Sequence, residues 1–299
     1  MSRGLLNLAT YSRPELLKKC LSSIANAESS QNYPKLIVLQ KGDAEVSRNV
    51  NEFADQLTQV IEVDGTKRTP LQNINHNRWL SWKSGFENSD IDWMLSVEED
   101  VVLHPSTLLF VEQILNKYSG NPKFRGINLA SRLSDMENLG TYSELRFGLH
   151  GCGAVITRET WGLFTKFEFG DKLETEPLDA LIEPILKTGF MVTPNLSLLE
   201  DFGWYKGTHT SSDSSDVHYV EISNSFNANR LPLSHEFQIR SVNPQWRSDC
   251  IIYSDADDFY FKVKLFLVPI LRSRVYTWTY SNLRKISRKF KSLIRVPAT

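Results

Sequence analysis

Three consecutive carboxylates, Glu98-Glu99-Asp100, follow the apolar run WMLSV at 93–97, which is typical of a buried strand. Charges at the end of a buried strand cost free energy unless a positive partner compensates them. Mg²⁺ and Mn²⁺ prefer carboxylate and phosphate oxygens and commonly take only one or two protein carboxylates. The pattern therefore indicates a divalent-cation site whose remaining carboxylates could bind ribose or sugar hydroxyls. The alternative is a solvated acidic loop after a strand.

A second polar cluster lies in the segment NINHNRWLSWKSGF at 73–86. Trp79, Trp82 and Phe86 recur at helical spacing, which predicts one buried helix face. His76 or Arg78, elsewhere on that helix, could contact a nucleotide. A surface helix with incidental polar residues is the alternative.

The segment ATYSRPELLKK at 9–19 places Thr10, Tyr11 and Arg13 between a strand and a helix that begins near Pro14. Backbone N–H groups at such a junction, together with Arg13, could meet the uracil, ribose or phosphate of a nucleotide. An ordinary strand–helix turn is the alternative.

Two later segments carry candidate catalytic groups. In ETEPLD at 174–179, Asp179 or Glu176 could act as a general base for an acceptor hydroxyl. Acids at a helix start also stabilise the macrodipole, and that is the alternative role. In GTHTSSD at 207–213, His209 could ligate a metal or contact a diphosphate, or it could simply be an exposed loop residue.

These side chains must be positioned by alternating strands and helices, which favour βαβ units and a mainly parallel sheet. Ligands of such sheets bind beyond the carboxyl ends of the strands, so ATYSRP and SVEED are expected to converge on one cleft. The polar segment 201–216 is expected to be a loop that closes over the cleft. The predicted strands are 5–10, 36–40, 60–63, 93–97, 126–130 and 153–157, and the predicted helices are 14–25, 46–59, 70–86, 106–118 and 177–190.

Composition excludes several classes. The 299 residues contain three scattered cysteines, so neither a disulfide framework nor a CxxC metal site is expected. No apolar run is long enough to span a bilayer, and the N-terminus lacks a signal-peptide core, which predicts a cytoplasmic protein. GxSxG, Walker A, HExxH and GxGxxG motifs are absent, which argues against the common hydrolase, P-loop and dinucleotide-binding classes.

Charge is distributed unevenly along the chain. Residues 259–299 carry ten Lys/Arg and no Asp/Glu, which leaves 24 basic and 35 acidic residues in 1–258. Within 275–295 the apolar residues are spaced as on one face of a helix, with basic residues among them. This basic amphipathic segment suits an anionic membrane surface, to which each basic residue contributes about 1 kcal/mol. A helix packed on its own domain is the alternative, and the acidic body argues against nucleic acid as a partner.

Taken in order, these motifs resemble those of GT-A fold glycosyltransferases. ATYSRPELLKKCL is similar to their nucleotide-binding strand and helix, and VEEDVVLHPS to their acidic metal motif. HNRW followed by EED is similar to N-acetylglucosaminyltransferases. The resemblance implies that Arg13 and His76 contact UDP. It also implies that Asp100 holds Mn²⁺ or Mg²⁺, while Glu99 and Glu98 contact the ribose and the donor sugar.

The later part of the chain is similar to bacterial surface-polysaccharide glycosyltransferases. By that resemblance Asp179 is the base, Pro194 marks a strand and His209 lies on the closing loop. The chain departs from the family in having EED in place of DxD or EDD. It also has Lys41, with Asp43 nearby, where the family often has a uracil-facing Asp.

The resemblance implies an α/β, Rossmann-like GT-A domain over 1–225, with a nucleotide-binding half at about 1–105 and an acceptor half at about 106–225. An irregular extension over 226–264 and a basic amphipathic tail over 265–299 are expected to follow. The implied activity is metal-dependent, inverting transfer of a sugar from a nucleotide sugar, UDP first, to a glycan or lipid-linked acceptor. It would take place at the inner face of the membrane, in surface polysaccharide synthesis. A nucleotidyltransferase and a non-catalytic, membrane-docked glycan-binding or scaffold protein remain the alternatives.

Overall fold

The computed structural model describes residues 3–130, 142–145, 152–167, 169–194 and 196–202. His209, most of the expected loop 201–216, the extension 226–264 and the tail 265–299 lie outside the described residues. No helix within the described ranges is long and apolar enough to cross a membrane.

Strands and helices alternate through the first half of the chain, as predicted. The strands are β1 Gly4–Ala9, β2 Lys35–Gln40, β3 Thr58–Val63, β4 Trp93–Glu98, β5 Val101–Leu103, β6 Phe124–Asn128, β7 Tyr142–Leu145, β8 Gly153–Thr157, β9 Phe190–Pro194 and β10 Leu199–Asp201. The helices are α1 Pro14–Asn26, α2 Ala44–Phe53, α3 Pro70–Glu87, α4 Thr107–Tyr118, α5 Arg158–Phe164, α6 Lys172–Thr175 and α7 Leu178–Leu186.

Eight of these strands form one mixed sheet in the order β3-β2-β1-β4-β8-β6-β9-β7. The first four are mutually parallel and are connected through α1, α2 and α3. Strand β8 is antiparallel to both of its neighbours, and β7 is antiparallel to β9. Strands β5 and β10 form a separate antiparallel pair. The predicted α/β, Rossmann-like fold with a mainly parallel sheet is confirmed for the described residues.

The sheet separates two apolar clusters because neighbouring residues of a strand face opposite sides. Leu6 and Leu8 of β1 pack on the side that carries α1, α2 and α4. Leu5 packs on the other side, with α3, α5 and α7. Trp82 and Phe86 are buried on that second side and Trp79 packs against them, so the predicted core face of α3 is confirmed.

Local chemistry explains where α1, α2 and α3 begin. Pro14 begins α1, where a missing N–H costs nothing. The Asp43 side chain caps α2 by accepting from two backbone N–H groups. Thr69 and Gln72 form a capping box at the start of α3.

Several predicted boundaries are wrong. The helix predicted over 177–190 ends at Leu186, because Phe190–Pro194 form β9, and the strand predicted over 60–63 begins at Thr58. The helix predicted over 46–59 ends at Phe53, because Thr58–Val63 instead pair in register with β2. The strand predicted over 126–130 begins two residues earlier, at Phe124. The expected loop at 201–216 begins inside β10, because Asp201 pairs with Val101 of β5.

Candidate functional site

Strands β1 and β4 are adjacent and parallel, with Ala9 opposite Glu98. Their carboxyl ends therefore place the segment 10–13 beside the three acidic residues that follow β4. The predicted convergence of these two motifs on one edge of the sheet is confirmed. Thr10 is buried there and bridges to β2, since its hydroxyl donates to the Val38 carbonyl and accepts from the Gln40 N–H.

Glu99 is buried and fastens the β1–α1 junction to the acidic segment. Its carboxylate accepts hydrogen bonds from the backbone N–H groups of Tyr11 and Ser12. It also accepts from Arg13 Nε at 2.8 Å. Both Glu99 oxygens therefore accept hydrogen bonds from the protein itself. The ribose contact expected of Glu99 would be additional to these bonds.

Arg13 joins Glu99 to Asp100 by donating a second bond, from Nη1 to Asp100 Oδ2 at 2.6 Å. Burial alone lowers the pKa of Arg13, but the Asp100 and Glu99 charges outweigh burial and raise that pKa above its ordinary value. Asp100 is 5% exposed, and its other oxygen, Oδ1, has no hydrogen-bond partner among the described residues. A buried carboxylate oxygen without a partner is costly, so this oxygen is a candidate to bind a ligand.

A second arginine, Arg78 on α3, is buried between two further carboxylates. Its Nη2 donates to Asp179 Oδ1 at 2.9 Å, and its Nη1 lies 3.8 Å from Glu98 Oε1. The guanidinium also lies over the Trp82 ring, 5.3 Å from its centroid. Burial lowers the pKa of Arg78, but the charges of Asp179 and Glu98 reverse that effect and raise it.

The pKa of Glu98 is raised well above its ordinary value. Loss of surrounding water raises its pKa to about 8, and Arg78 opposes this rise. The like charges of Asp100, Asp179 and Asp201 add to it. Since 32% of the Glu98 side-chain surface stays accessible, solvent moderates these interactions.

The two candidate bases differ in their surroundings. Asp179 lies in the first turn of α7, where its side chain is 39% exposed and pairs with Arg78. Glu176 precedes that helix, as the C-terminal cap of α6. Asp179 is therefore the candidate that lies in the cluster with Glu98.

His76 lies on α3, half-buried, and its pKa is lowered by burial and by the charge of Arg68. Arg68 belongs to the segment between β3 and α3, so His76 lies toward that end of the helix. The structure thus brings Arg13, Glu98–Asp100, Arg78 and Asp179 together. His76 lies two residues before Arg78 on α3, and residues at that spacing face different sides of a helix.

Sequence reasoning missed two contributions to this site. Asp201 adds a further carboxylate through the pairing of β10 with β5, which no local pattern reveals. The asparagines at 73, 75 and 77 on α3 are all buried, and the sequence pattern assigned them no role. The local pattern NINHN does not distinguish them from exposed asparagines, because the partners of Asn75 lie in distant segments.

Within the described ranges, no group of three or more His, Cys, Asp or Glu side chains is arranged to hold a metal ion. A cation that takes a single protein carboxylate and completes its shell with phosphate and water would still fit Asp100 Oδ1. His209, the other predicted metal ligand, lies outside the described residues.

In open α/β sheets, ligands bind beyond the carboxyl ends of the strands, and the charged cluster lies at that edge of the sheet. No protein-family model matches the chain, and no curated protein matches it. Among solved structures, the chain is similar to the mannosyltransferase PcManGT from Pyrobaculum calidifontis in complex with GDP-Man and Mn²⁺. The identity is 14% and the TM-score 0.46, over 64% of this chain and 54% of that one.

A second similarity is to S. aureus TarS. In its complex with UDP-GlcNAc the identity is 12% and the TM-score 0.47, over 66% of this chain and 57% of that one. For TarS without a named ligand the values are 10% and 0.45, over 75% and 70%. The chain thus spans little more than half of the mannosyltransferase and of TarS in its UDP-GlcNAc complex. The geometry of the site carries the functional argument.

Proposed function

We propose that this protein is a glycosyltransferase that moves a sugar from a nucleotide-sugar donor to a hydroxyl group of a glycan or lipid-linked acceptor. The observation that carries the proposal is the paired arrangement at the carboxyl ends of β1 and β4. Arg13 compensates Glu99 and Asp100, while Arg78 compensates Glu98 and Asp179. Transfer from a nucleotide-sugar donor requires positive charge near the diphosphate, a carboxylate to hold a cation and a second carboxylate to act as a base. Arginines and carboxylates of this kind lie together at the site.

Asp100 is the residue that would hold Mn²⁺ or Mg²⁺, because it has a buried oxygen without a partner in the described part of the chain. A divalent ion bound there would offset the negative charge on the leaving diphosphate. Arg13 forms an ion pair with the same carboxylate. Since 23% of its side chain is exposed, Arg13 can also donate a hydrogen bond to a phosphate oxygen.

The nucleotide is proposed to lie along the carboxyl ends of β1 and β2, near Thr10, Tyr11 and His76. Asp43 is occupied as the N-cap of α2, and Lys41 pairs with Glu62 at 2.9 Å. The carboxylate that often faces uracil in the family is therefore not supplied by Asp43. UDP remains the first donor to test, with other nucleotides beside it.

Asp179 is proposed as the general base. Arg78 holds its carboxylate at 2.9 Å, and its exposed surface leaves room for an acceptor hydroxyl. Deprotonation on the acceptor side, with in-line attack on the anomeric carbon, inverts the configuration. Glu98, beside Arg78, is proposed to form hydrogen bonds with donor-sugar hydroxyls.

The basic tail and the acidic body motivate the remaining part of the proposal. A tail at 265–299 that docks on an anionic membrane surface would bring the site to a lipid-linked acceptor at the inner face. Surface polysaccharide synthesis is the process in which such an acceptor would be used.

Calorimetric titration of the full chain with UDP, GDP, CDP and dTDP, each with and without Mn²⁺, tests the proposal. We expect Mn²⁺-dependent binding of one nucleotide, and loss of that dependence in Asp100→Ala. Unaltered Mn²⁺-dependent binding in Asp100→Ala would refute the metal assignment. Absence of binding by every nucleotide, with a cooperative unfolding transition as evidence of folding, would refute the donor and favour the scaffold alternative.

A further inference from the structure

Asn75 lies on α3 and is 1% exposed. Its side-chain amide forms hydrogen bonds with backbone groups of a distant segment, 173–178. Its Nδ2 donates to the carbonyls of Leu173 at 2.7 Å and Glu176 at 2.8 Å. Its Oδ1 accepts from the Leu178 N–H at 3.0 Å. Two carbonyls and one N–H thus define the orientation of the amide.

The backbone groups that Asn75 satisfies belong to the junction between α6 and α7. The N-cap of α7 is Pro177, whose side chain makes no capping hydrogen bond. The first N–H groups of a helix need partners from outside it, and a proline N-cap has no side-chain acceptor. Asn75 provides that acceptor from a different helix, and its two donors bind the end of α6.

Asp179 follows immediately after the residue that Asn75 caps. Its carboxylate is held by Arg78, which lies three residues after Asn75 on the same helix. Successive turns of α3 therefore bind the same short segment twice. Asn75 binds the backbone before Asp179, and Arg78 binds the side chain.

We infer that Asn75 is a positioning residue that sets the location of Asp179 against Arg78 and Glu98; its part in the reaction rests on the proposed function. Without the amide, the Leu178 N–H and two carbonyls lose their partner and the start of α7 is free to shift. A displacement of about 1 Å at a reacting group can cost on the order of 10²-fold in rate. Donor binding, which depends on the β1 and β4 ends, should change little.

Four proteins test the inference: the wild type, Asn75→Ala, Asp179→Asn and the double variant. Unfolding equilibria in urea are measured first, because they require neither donor nor acceptor. Asp179→Asn is expected to change the unfolding equilibrium about 10-fold in the wild type and less than about 2-fold when Asn75 is alanine, since residues that act on one another are not additive. Equal costs in both backgrounds would overturn the inference.

The same four proteins are then assayed for hydrolysis of UDP-GlcNAc, UDP-glucose and GDP-mannose with Mn²⁺, by release of the nucleoside diphosphate. Asn75→Ala is expected to lower kcat about 10²-fold with KM within about threefold. The double variant should be no slower than Asp179→Asn. A purely structural role predicts instead that the two losses multiply, and that result would overturn the inference.

Two further outcomes keep the test decisive. If Asn75→Ala does not fold, Asn75→Asp replaces it, since it keeps an acceptor for the Leu178 N–H but turns an oxygen toward the two carbonyls. If the wild type binds and hydrolyses none of the three donors while the unfolding cycle shows coupling, the proposed function fails and the positioning of Asp179 by Asn75 stands.

Discussion

Replacing Arg13 by alanine removes the cation that pairs with both Glu99 and Asp100, at 2.8 and 2.6 Å. Breaking a buried ion pair by removing one partner costs about 3–5 kcal/mol. Because 23% of the Arg13 side-chain surface is exposed to solvent, screening reduces that cost to about 2–3 kcal/mol. We therefore expect a clear loss of free energy of unfolding for Arg13→Ala in the absence of metal.

The same change should strengthen the binding of Mn²⁺ in the absence of nucleotide. In the wild type an ion at Asp100 Oδ1 shares the charge of that carboxylate with Arg13, which binds Oδ2 and repels the ion. The charge-assisted hydrogen bond of Arg13 is worth about 1.5–3 kcal/mol. Removing that competitor should tighten Mn²⁺ binding about 10- to 100-fold, at 1.4 kcal/mol for each factor of ten. Nucleotide binding should weaken, because Arg13 is also a proposed phosphate ligand. The two affinities thus move in opposite directions.

Electron paramagnetic resonance of free Mn²⁺ measures the metal affinity, and calorimetry measures that of the nucleotide. Mn²⁺ at 100 times its dissociation constant should also add about 2.7 kcal/mol of stability to the variant, which is comparable to the loss. Arg48→Ala is the matched control, because Arg48 forms an exposed pair with Glu45 within α2. Weaker or unchanged Mn²⁺ binding in Arg13→Ala would refute the idea that Arg13 and the metal compete for Asp100.

Three further predictions concern the base, the acidic strand end and the tail. Asp179→Asn should keep donor affinity within about threefold and lose transfer by at least about 10²-fold, and normal turnover would move the base to Glu176 or elsewhere. The pKa of Glu98 is raised from an ordinary 4.5 to about 8 in the folded state. The stability that Glu98 contributes is therefore complete below pH 4.5 and is lost as the pH rises through about 8. Urea midpoints in EDTA from pH 5 to 8 should therefore fall less steeply for Glu98→Gln than for the wild type, and identical slopes would contradict the raised pKa. Deleting 275–299 should release the protein from anionic liposomes in a sedimentation assay, and unchanged sedimentation would support a tail packed on the protein.

The convergence of Arg13 with Glu99 and Asp100 could be predicted because it follows from local pattern and one rule of topology. Apolar runs predicted β1 and β4, and parallel strands present their carboxyl ends on one edge. The core face of α3 followed equally from the spacing of Trp79 and Trp82. In each case the information lies within a few residues of the feature.

The parts that escaped prediction depend on contacts between distant segments. The true start of β3 depends on pairing with β2, which overrode the helical pattern that ran on past Phe53. Asn75 has the same sequence appearance as an exposed asparagine, since its partners lie about 100 residues further on. Asp201 reaches the site only because β10 pairs with β5.

The pairing of β1 with β4 also has a consequence for folding kinetics. The Tyr11 N–H and the Glu99 carboxylate that it contacts are 88 positions apart in the chain. Contacts over such separations form slowly, because the intervening loop must be closed before they stabilise anything. The first three strands can pair with one another and begin to bury the leucines of β1 and β2 while the site is still unassembled. Affinity for Mn²⁺ or nucleotide is therefore expected to return later than secondary structure during refolding, which makes ligand binding a reporter of completed folding.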